Sequence, residues 1–229
     1  MTTDPCVIDP SDRPDGRLPL VYGDRHLLVV DKPAGLLSVP GRGAAMQDCA
    51  AARVQREYPD ALVVHRLDMA TSGLLLLARG PAMQRALSRA FEQRLVGKRY
   101  VALAAGRLPP PPTAGGWGCI DLPLAADWPN RPRQVVDAVK GRPSRTHWRV
   151  LAYDAALDAS RVELEPVTGR SHQLRVHLLA LGHPILGDAL YAPAAMRERA
   201  ARLLLHASVL ELVHPATGKP LRCCSPVPF

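Results

Sequence analysis

A guanidinium and a carboxylate stand two residues apart in segment 65–73, HRLDMATSG, which leads into four consecutive leucines. Asp68 follows a short apolar stretch and precedes a glycine-containing bend, where aspartate commonly bonds its own backbone to close a turn. A carboxylate beside an apolar strand is also expected to be partly buried, and burial calls for a cationic partner. The segment therefore supports two interpretations of Asp68, as a turn residue and as a nucleophile or base.

Cations for such a site occur in a second segment, 167–184, VTGRSHQLRVHLLALGHP. Arg170 stands where a predicted strand meets a predicted helix, and Arg175 and His177 follow on that helix. An ion pair between Arg170 and Asp68 would keep the carboxylate ionised in a dry site, and an ionised carboxylate is nucleophilic or basic.

Other kinds of site are not supported by the spacing. The histidines of these segments form no H-x3-H pair and have no neighbouring Cys/Asp cluster, so no metal site is predicted. Segment 169–173, GRSHQ, lacks the second glycine of a nucleophile elbow, and segment 41–43, GRG, lacks the third glycine of a dinucleotide motif. The sequence thus offers one good carboxylate and no cofactor site.

The elements that must position these segments predict an α+β fold. Strands are predicted around 27–31, 63–65, 74–78, 99–105, 146–153, 161–167, 203–213 and 221–223, and helices at 46–58, 81–95 and 172–181. Segments 108–118 and 121–133 are predicted to be irregular. Because loops and hairpins join most strands, we expect one mixed domain, 20–229, around a largely antiparallel central sheet, after a loose N-terminal tail, 1–19. Asp68 would lie in the connection between two short buried strands.

The charge balance favours a polyanionic partner. The chain has 29 lysines and arginines against 21 aspartates and glutamates, a formal net charge of +8. Between residues 79 and 99 the basic residues are Arg79, Arg85, Arg89, Arg94, Lys98 and Arg99, opposed by Glu92 alone. This clustering favours a phosphate-binding surface, with a solvated helix face as the alternative.

Several features together predict a cytoplasmic protein. The five cysteines lack paired spacing, the N-terminus lacks a signal segment, and no apolar run is long enough to span a membrane. Nothing in the chain requires an obligate protein partner.

The motifs resemble those of the RluA family of RNA pseudouridine synthases. HRLDMATSG, KRYVAL, TGRSHQLRVH and LGHPILGD stand in the family's order across 20–229. DLPL, DWPNRP and LLLHA are similar to segments of a member described as acting on both a tRNA anticodon loop and a hairpin of 23S rRNA. The resemblance implies the pseudouridine synthase fold with a catalytic cleft, and isomerisation of a uridine in RNA with neither cofactor nor metal.

The resemblance also implies roles for individual residues. Asp68 matches the catalytic nucleophile, with attack on the ribose, attack on the base and initial removal of a ribose proton all left open, and Arg170 matches its cationic partner. Tyr100 matches the tyrosine that packs on the target base, and Leu174 matches an apolar wall of the base pocket. Arg66 matches the residue that fills the space of the flipped-out uridine.

Larger members of the family carry an N-terminal S4 RNA-binding domain, and residues 1–19 are too few to form one. RNA affinity is therefore expected from the catalytic domain. The helix face around Arg85, Arg89 and Arg94 and the loop from Trp128 to Arg133, which contains Arg131, are predicted to contact RNA phosphates and bases.

Two other classes of protein compete with this interpretation. A catalytically silent RNA-binding protein or folding chaperone of the same fold is disfavoured by the intact Asp68, Tyr100 and Arg170. A cofactor-free hydrolase with an aspartate nucleophile would need a second carboxylate as acid or base, and neither main motif offers one.

Overall fold

The computed structural model describes residues 16–113 and 115–229, so the predicted tail lies outside the described residues as far as residue 15. The strands are β1 Leu20–Gly23, β2 Leu27–Lys32, β3 Ala61–Val63, β4 Ser72–Arg79, β5 Gly97–Ala105, β6 Gly118–Asp121, β7 Leu124–Ala126, β8 Gln134–Val136, β9 Arg145–Asp154, β10 Ala159–Pro166, β11 Leu205–Val213 and β12 Pro220–Cys224. The helices are α1 Ala50–Gln55, α2 Gly80–Glu92, α3 Gln173–Ala180 and α4 Ala194–Arg197, with a 3-10 turn at Ala44–Met46.

The described residues divide into two compact units. The first unit contains the described residues up to Lys98 together with Ala207–Pro228. The second unit contains Arg99–His206 and Phe229. In the first unit the strands follow the order β1, β2, β4, β11, with β3 also paired to β4 and β12 to β11. The pairs β1–β2, β2–β4, β3–β4 and β11–β12 are antiparallel.

Strand β4 is central to the first unit, and its leucines are buried from Leu74 to Leu77. A strand covered on both faces loses the alternation of apolar and polar residues and becomes a continuous apolar run. Helix α2 begins with a proline in its first turn and packs Leu87 into the same core as Leu74 and Leu76. This packing fixes β4, and with it the end of the connection that carries Asp68.

The second unit contains the antiparallel order β5, β10, β9, β6, and β7 and β8 form a separate antiparallel hairpin. Helix α3 follows β10 after a short turn and is mostly buried. Its Val176 shares a core cluster with Leu124 of β7 and with Tyr191. The hairpin is therefore packed against the helix that begins just after Arg170.

The predicted α+β class with largely antiparallel pairing is confirmed. The helix predicted at 46–58 is shorter, Ala50–Gln55, and the hairpin β7–β8 occupies part of a region predicted to be irregular. Strands of three residues between prolines and glycines show too little alternation to be recognised in a sequence. No helix of the described residues has the length and apolar character needed to cross a membrane. The extension of one catalytic domain over 20–229 stays a prediction.

Candidate active site

The connection between β3 and β4 holds Asp68 at a closely bonded turn. On the N-terminal side, the Ser38 hydroxyl donates to the Leu67 carbonyl at 2.7 Å and accepts from the Leu67 N–H at 3.0 Å. On the C-terminal side, the Thr71 N–H donates to the Asp68 carbonyl at 3.1 Å. The backbone that carries the carboxylate is therefore restrained on both sides, and the turn interpretation and the catalytic interpretation of Asp68 are compatible.

A buried ammonium joins this turn to the end of β2. The Lys32 side chain is fully buried, and its Nζ donates to the carbonyls of Pro33 at 2.9 Å, Leu36 at 2.7 Å and Met69 at 3.1 Å. The Gly35 N–H also donates to the Met69 carbonyl, at 2.8 Å. A buried ammonium is costly unless its donors are used, and these carbonyls use them. The residue immediately after Asp68 is thus fixed by the loop at 33–36.

The two residues before Leu67 have contrasting environments. Arg66 is exposed, whereas the His65 ring stacks on the Phe91 ring with centroids 4.6 Å apart. Burial lowers the pKa of His65 to about 3, and the charge of Lys98 lowers it further. His65 is therefore neutral at physiological pH, beside a guanidinium that solvent can reach.

In the second unit, one side-chain amide organises the turn that carries Arg170. Gln173 is buried, and its Oε1 accepts from the Thr168 hydroxyl at 2.7 Å and from the Arg170 N–H at 3.1 Å. Its Nε2 donates to the Arg145 carbonyl and to the Thr146 hydroxyl, each at 2.9 Å. All the ordinary hydrogen-bonding positions of the amide are used, so the backbone at Arg170 is held firmly.

The predicted base-pocket residues of the second unit have distinct surroundings. The half-buried Arg170 directs its Nε to the Pro143 carbonyl at 3.3 Å, and Leu174 is buried in the first turn of α3. Tyr100 lies on β5 opposite Leu164 of β10 and is half-buried. Arg66 and Asp68 belong to the first unit, so the Arg170–Asp68 ion pair stays a prediction.

The other two cations of segment 167–184 are engaged inside the second unit. Arg175 is buried and forms a bidentate ion pair with Asp188, with distances of 2.7 and 2.6 Å. His177 bonds the Thr146 hydroxyl through Nδ1 and the Leu122 carbonyl through Nε2, and burial lowers its pKa. Arg175 and His177 are therefore occupied by bonds that stabilise the second unit. Arg170, by contrast, is only half-buried.

The predicted RNA-contacting arginines of the β7–β8 hairpin differ from each other. Arg131 is exposed, and its guanidinium carbon lies 3.7 Å from the ring centre of Trp128. Arg133 is half-buried, and its guanidinium lies 5.4 Å from the ring centre of the buried Tyr191. Arg131 therefore belongs to the surface of the hairpin and Arg133 to its base.

The basic cluster at 79–99 is smaller on the surface than the sequence indicates. Arg79 pairs with Asp60 at 3.0 Å, and Arg99 lies 3.8 Å from Glu163. Burial lowers the pKa of Lys98. The exposed members are Arg85, Arg89 and Arg94. The first two line a shallow surface depression on α2 with Glu92.

Sequence reasoning did not identify four residues that shape these turns: Lys32, Ser38, His65 and Gln173. The signals were weak, because a lysine, a serine, a histidine and a glutamine are each common on surfaces. The polar residues Thr168 and Gln173 around Arg170 were the best available indication of a hydrogen-bonded turn. Among the described residues, no group of three His, Cys, Asp or Glu side chains is arranged to hold a metal ion.

Comparison with known proteins gives consistent matches. The family model "RNA pseudouridylate synthase" matches residues 26–180. The dual-specificity RNA pseudouridine synthase RluA of Escherichia coli strain K12 is 51% identical over 212 residues, covering 93% of this chain and 94% of that protein. The protein of the same name from Yersinia pestis is 48% identical over 202 residues, covering 88% and 95%. The solved structure of human RNA pseudouridylate synthase domain containing 1 has a TM-score of 0.76 and 31% identity, covering 93% of this chain and 84% of that one.

Proposed function

Because the chain belongs to the RNA pseudouridine synthase family, we propose that it is an isomerase that converts a uridine in an RNA loop to pseudouridine. The bond between N1 and the ribose breaks, the uracil turns, and C5 is joined to the same ribose carbon. C5 loses a proton and N1 gains one, so the atoms balance without an oxidant or a group donor. The reaction needs a nucleophile or base, a pocket for the free uracil and access to the nucleotide.

The observation that carries this proposal is the double restraint of the Asp68 turn. The Ser38 bonds to Leu67 and the Lys32 bond to Met69 restrain the residues on either side of the carboxylate. Such fixation favours catalysis because a group already in position need not be ordered during the reaction. Asp68 acts as the nucleophile or base, and attack on the ribose, attack on the base and removal of a ribose proton each use the ionised carboxylate.

Arg170 keeps that carboxylate ionised by pairing with it. A cationic partner within a few ångströms favours the charged form of a carboxyl group even where water is excluded. The Gln173 amide supports this role because it fixes the Arg170 backbone while the guanidinium stays only half-buried. Tyr100 packs on the uracil, and Leu174 forms an apolar wall of its pocket.

Arg66 replaces the uridine in the RNA stack. Flipping a nucleotide out of a loop costs a few kcal/mol of stacking, and a planar guanidinium inserted in the gap restores part of it. The exposure of Arg66 suits this role, because a flipping residue must be free to enter the RNA.

The substrates we propose are a hairpin of 23S rRNA and a tRNA anticodon stem-loop, both encountered in the cytoplasm. The relatives with about half of their residues identical are named dual-specificity RNA pseudouridine synthases. Arg131 and Arg133 of the hairpin, and the exposed Arg85 and Arg89 of α2, contact the phosphates of these RNAs.

The experiment that tests this function replaces Asp68 with asparagine, which keeps the shape of the side chain but removes its charge. The protein is incubated with an anticodon stem-loop labelled with tritium at C5 of its uridines, and released tritium is measured. We expect release by the wild type, none by Asp68→Asn, and equal RNA binding by both. Asp60→Asn is the control, since Asp60 is exposed and pairs with Arg79. Tritium release that survives in Asp68→Asn would exclude the mechanism.

A further inference from the structure

Trp128 is displayed to solvent by the loop that joins β7 and β8. It is 66% exposed, whereas Trp148 on β9 of the same unit is 8% exposed. Burying an aromatic side chain is among the larger single contributions to folding, so an indole left in water forgoes a substantial gain. The indole of Trp128 is therefore accessible to a partner outside the chain.

The loop that carries Trp128 is held by its own hydrogen bonds. The Asp127 N–H donates to the Arg133 carbonyl at 3.0 Å, and the Asn130 N–H donates to the Asp127 carbonyl at 3.1 Å. The Asn130 side-chain amide donates to both carboxylate oxygens of Asp127, at 3.1 and 3.0 Å. These bonds engage the one acidic side chain of the loop and define the conformation in which the indole is exposed.

A cation is stacked on the exposed ring. The guanidinium carbon of Arg131 lies 3.7 Å from the ring centre of Trp128, a distance typical of a cation–π contact. The pair offers a flat apolar surface together with a positive charge. Proteins that hold single-stranded nucleic acid combine these two properties, because every base has a π face to stack and every phosphate is an anion.

The base of the hairpin is anchored beside the Arg170 turn. The Tyr191 hydroxyl accepts from the Gln134 N–H at 2.7 Å and lies 2.7 Å from Nδ1 of His172. His172 is two residues beyond Arg170, and Tyr191 is buried. A base stacked on Trp128 would therefore be held at a defined distance from Arg170.

We propose that Trp128 and Arg131 form a second nucleobase site, which stacks one unpaired base of the RNA other than the reacting uridine. This inference rests on the RNA isomerase function proposed above. The stack adds affinity and sets the register of the loop, while the chemistry belongs to Asp68. The ligand is an unpaired purine or pyrimidine, because stacking on an indole does not require a particular base.

The test combines changes in the protein with changes in the RNA. Dissociation constants are measured in the Asp68→Asn background, so that the RNA is not converted, with an anticodon stem-loop and with copies that carry one abasic nucleotide at each loop position in turn. We expect Trp128→Ala to weaken binding about 10-fold and Trp128→Tyr to weaken it much less. One abasic position should weaken binding to the parent protein by a similar factor and have no further effect with Trp128→Ala.

Trp117→Phe is the matched control. Trp117 is half-buried and also carries a stacked arginine, with Arg149 at 4.8 Å, so it reports on the general loss of an indole. Unchanged binding by Trp128→Ala would overturn the proposal. Full affinity in Trp128→Leu would do so too, because it would indicate an apolar protein contact rather than base stacking. Tritium release by the wild type is measured in parallel, so failure of the base site and failure of the isomerase function give different results.

Discussion

The Nε2 atom of His65 lies 2.9 Å from the backbone nitrogen of Leu76 and accepts its hydrogen bond. Strand β3 pairs with β4 only as far as Val63 opposite Leu77. Beyond that point the imidazole continues the bonding that the strand backbone no longer supplies. A protonated ring would have no lone pair at Nε2, so the bond exists only while His65 is neutral. The chain can therefore diverge from β4 after β3 and turn towards Asp68 without leaving the Leu76 N–H unsatisfied.

We predict that His65→Gln makes stability less dependent on pH in mild acid. The pKa of His65 falls from 6.5 to about 3 in the folded chain, so the unfolded chain binds the proton more readily. The stabilisation by neutral His65 is therefore full above pH 6.5 and is lost as the pH falls towards 3. Urea unfolding should show that, between about pH 7.5 and about pH 5.5, the free energy of unfolding of the wild type falls by about 1 kcal/mol more than that of His65→Gln. Glutamine is chosen because its Oε1 can accept the Leu76 N–H without titrating. Parallel curves of unfolding free energy against pH for the two proteins would contradict this prediction, because they would mean that His65 takes up the proton as readily in the folded chain as in the unfolded chain.

The glycines of the two motifs should differ in their tolerance of alanine. Gly73 has a φ of +110°, and a Cβ placed there would lie 2.3 Å from the Ala207 carbonyl oxygen. Gly169 has no atom within 4 Å of such a Cβ. We expect Gly73→Ala to lower the free energy of unfolding by more than about 3 kcal/mol, and Gly169→Ala to change it by less than about 1 kcal/mol. Urea unfolding of the two variants measures the difference, and similar values would contradict it.

The buried Lys32 should be difficult to replace. Lys32→Met removes the donor to three backbone carbonyls and leaves them in an apolar environment. We expect a loss of about 3 kcal/mol of unfolding free energy, together with a lower kcat because Met69 is released. The exposed Lys219 gives the control variant Lys219→Met, which should behave as wild type. A stable, fully active Lys32→Met protein would show that the turn at Asp68 does not depend on this ammonium.

Replacement of Gln173 should give a pH-dependent defect. In Gln173→Glu, an ionised oxygen faces the Arg145 carbonyl that the amide normally bonds. We expect kcat/KM to fall about 10-fold at neutral pH as the Arg170 turn shifts. The loss should diminish in acid, because a protonated carboxyl group can donate as the amide does. Gln173→Met should show no such recovery relative to wild type, and identical pH profiles for the two variants would contradict a positioning role.

The two hairpin arginines should contribute to RNA affinity in a salt-dependent way. Replacing both Arg131 and Arg133 with alanine is expected to weaken RNA binding. The slope of log Kd against log salt concentration should fall by about 2, because about two fewer counterions are released on binding. Arg133→Ala alone should also lower stability, since its guanidinium covers Tyr191. Arg56→Ala, at an exposed position of the first unit, is the control for loss of net charge. An unchanged salt slope in the double variant would remove these residues from the RNA surface.

Sequence alone was informative where the pattern is local. The apolar run of β4, the bend after Asp68 and the helix predicted at 81–95 were each recognised from neighbouring residues. The restraints on the site were not, because their partners are distant in the chain: Ser38 and Leu67 are 29 residues apart, and Gln173 and Arg145 are 28 apart. Composition cannot distinguish Lys32, fully buried, from a lysine in water. The burial of Arg175 and its bond to Asp188 likewise became visible only in three dimensions.

The self-contained bonding of the loop at 127–133 has an evolutionary consequence. The Asp127–Arg133 and Asn130–Asp127 bonds close the loop on itself, while Tyr191 holds the hairpin below it. Exchanges of Trp128 and Arg131, which make none of these bonds, can therefore alter the surface that the loop presents without disturbing the β7–β8 ladder or the Arg170 turn. Under the RNA contact proposed for Trp128 and Arg131, selection can change RNA preference through this loop while the Asp68 and Arg170 turns stay unchanged, and a loop transplanted from a relative is expected to carry its preference with it.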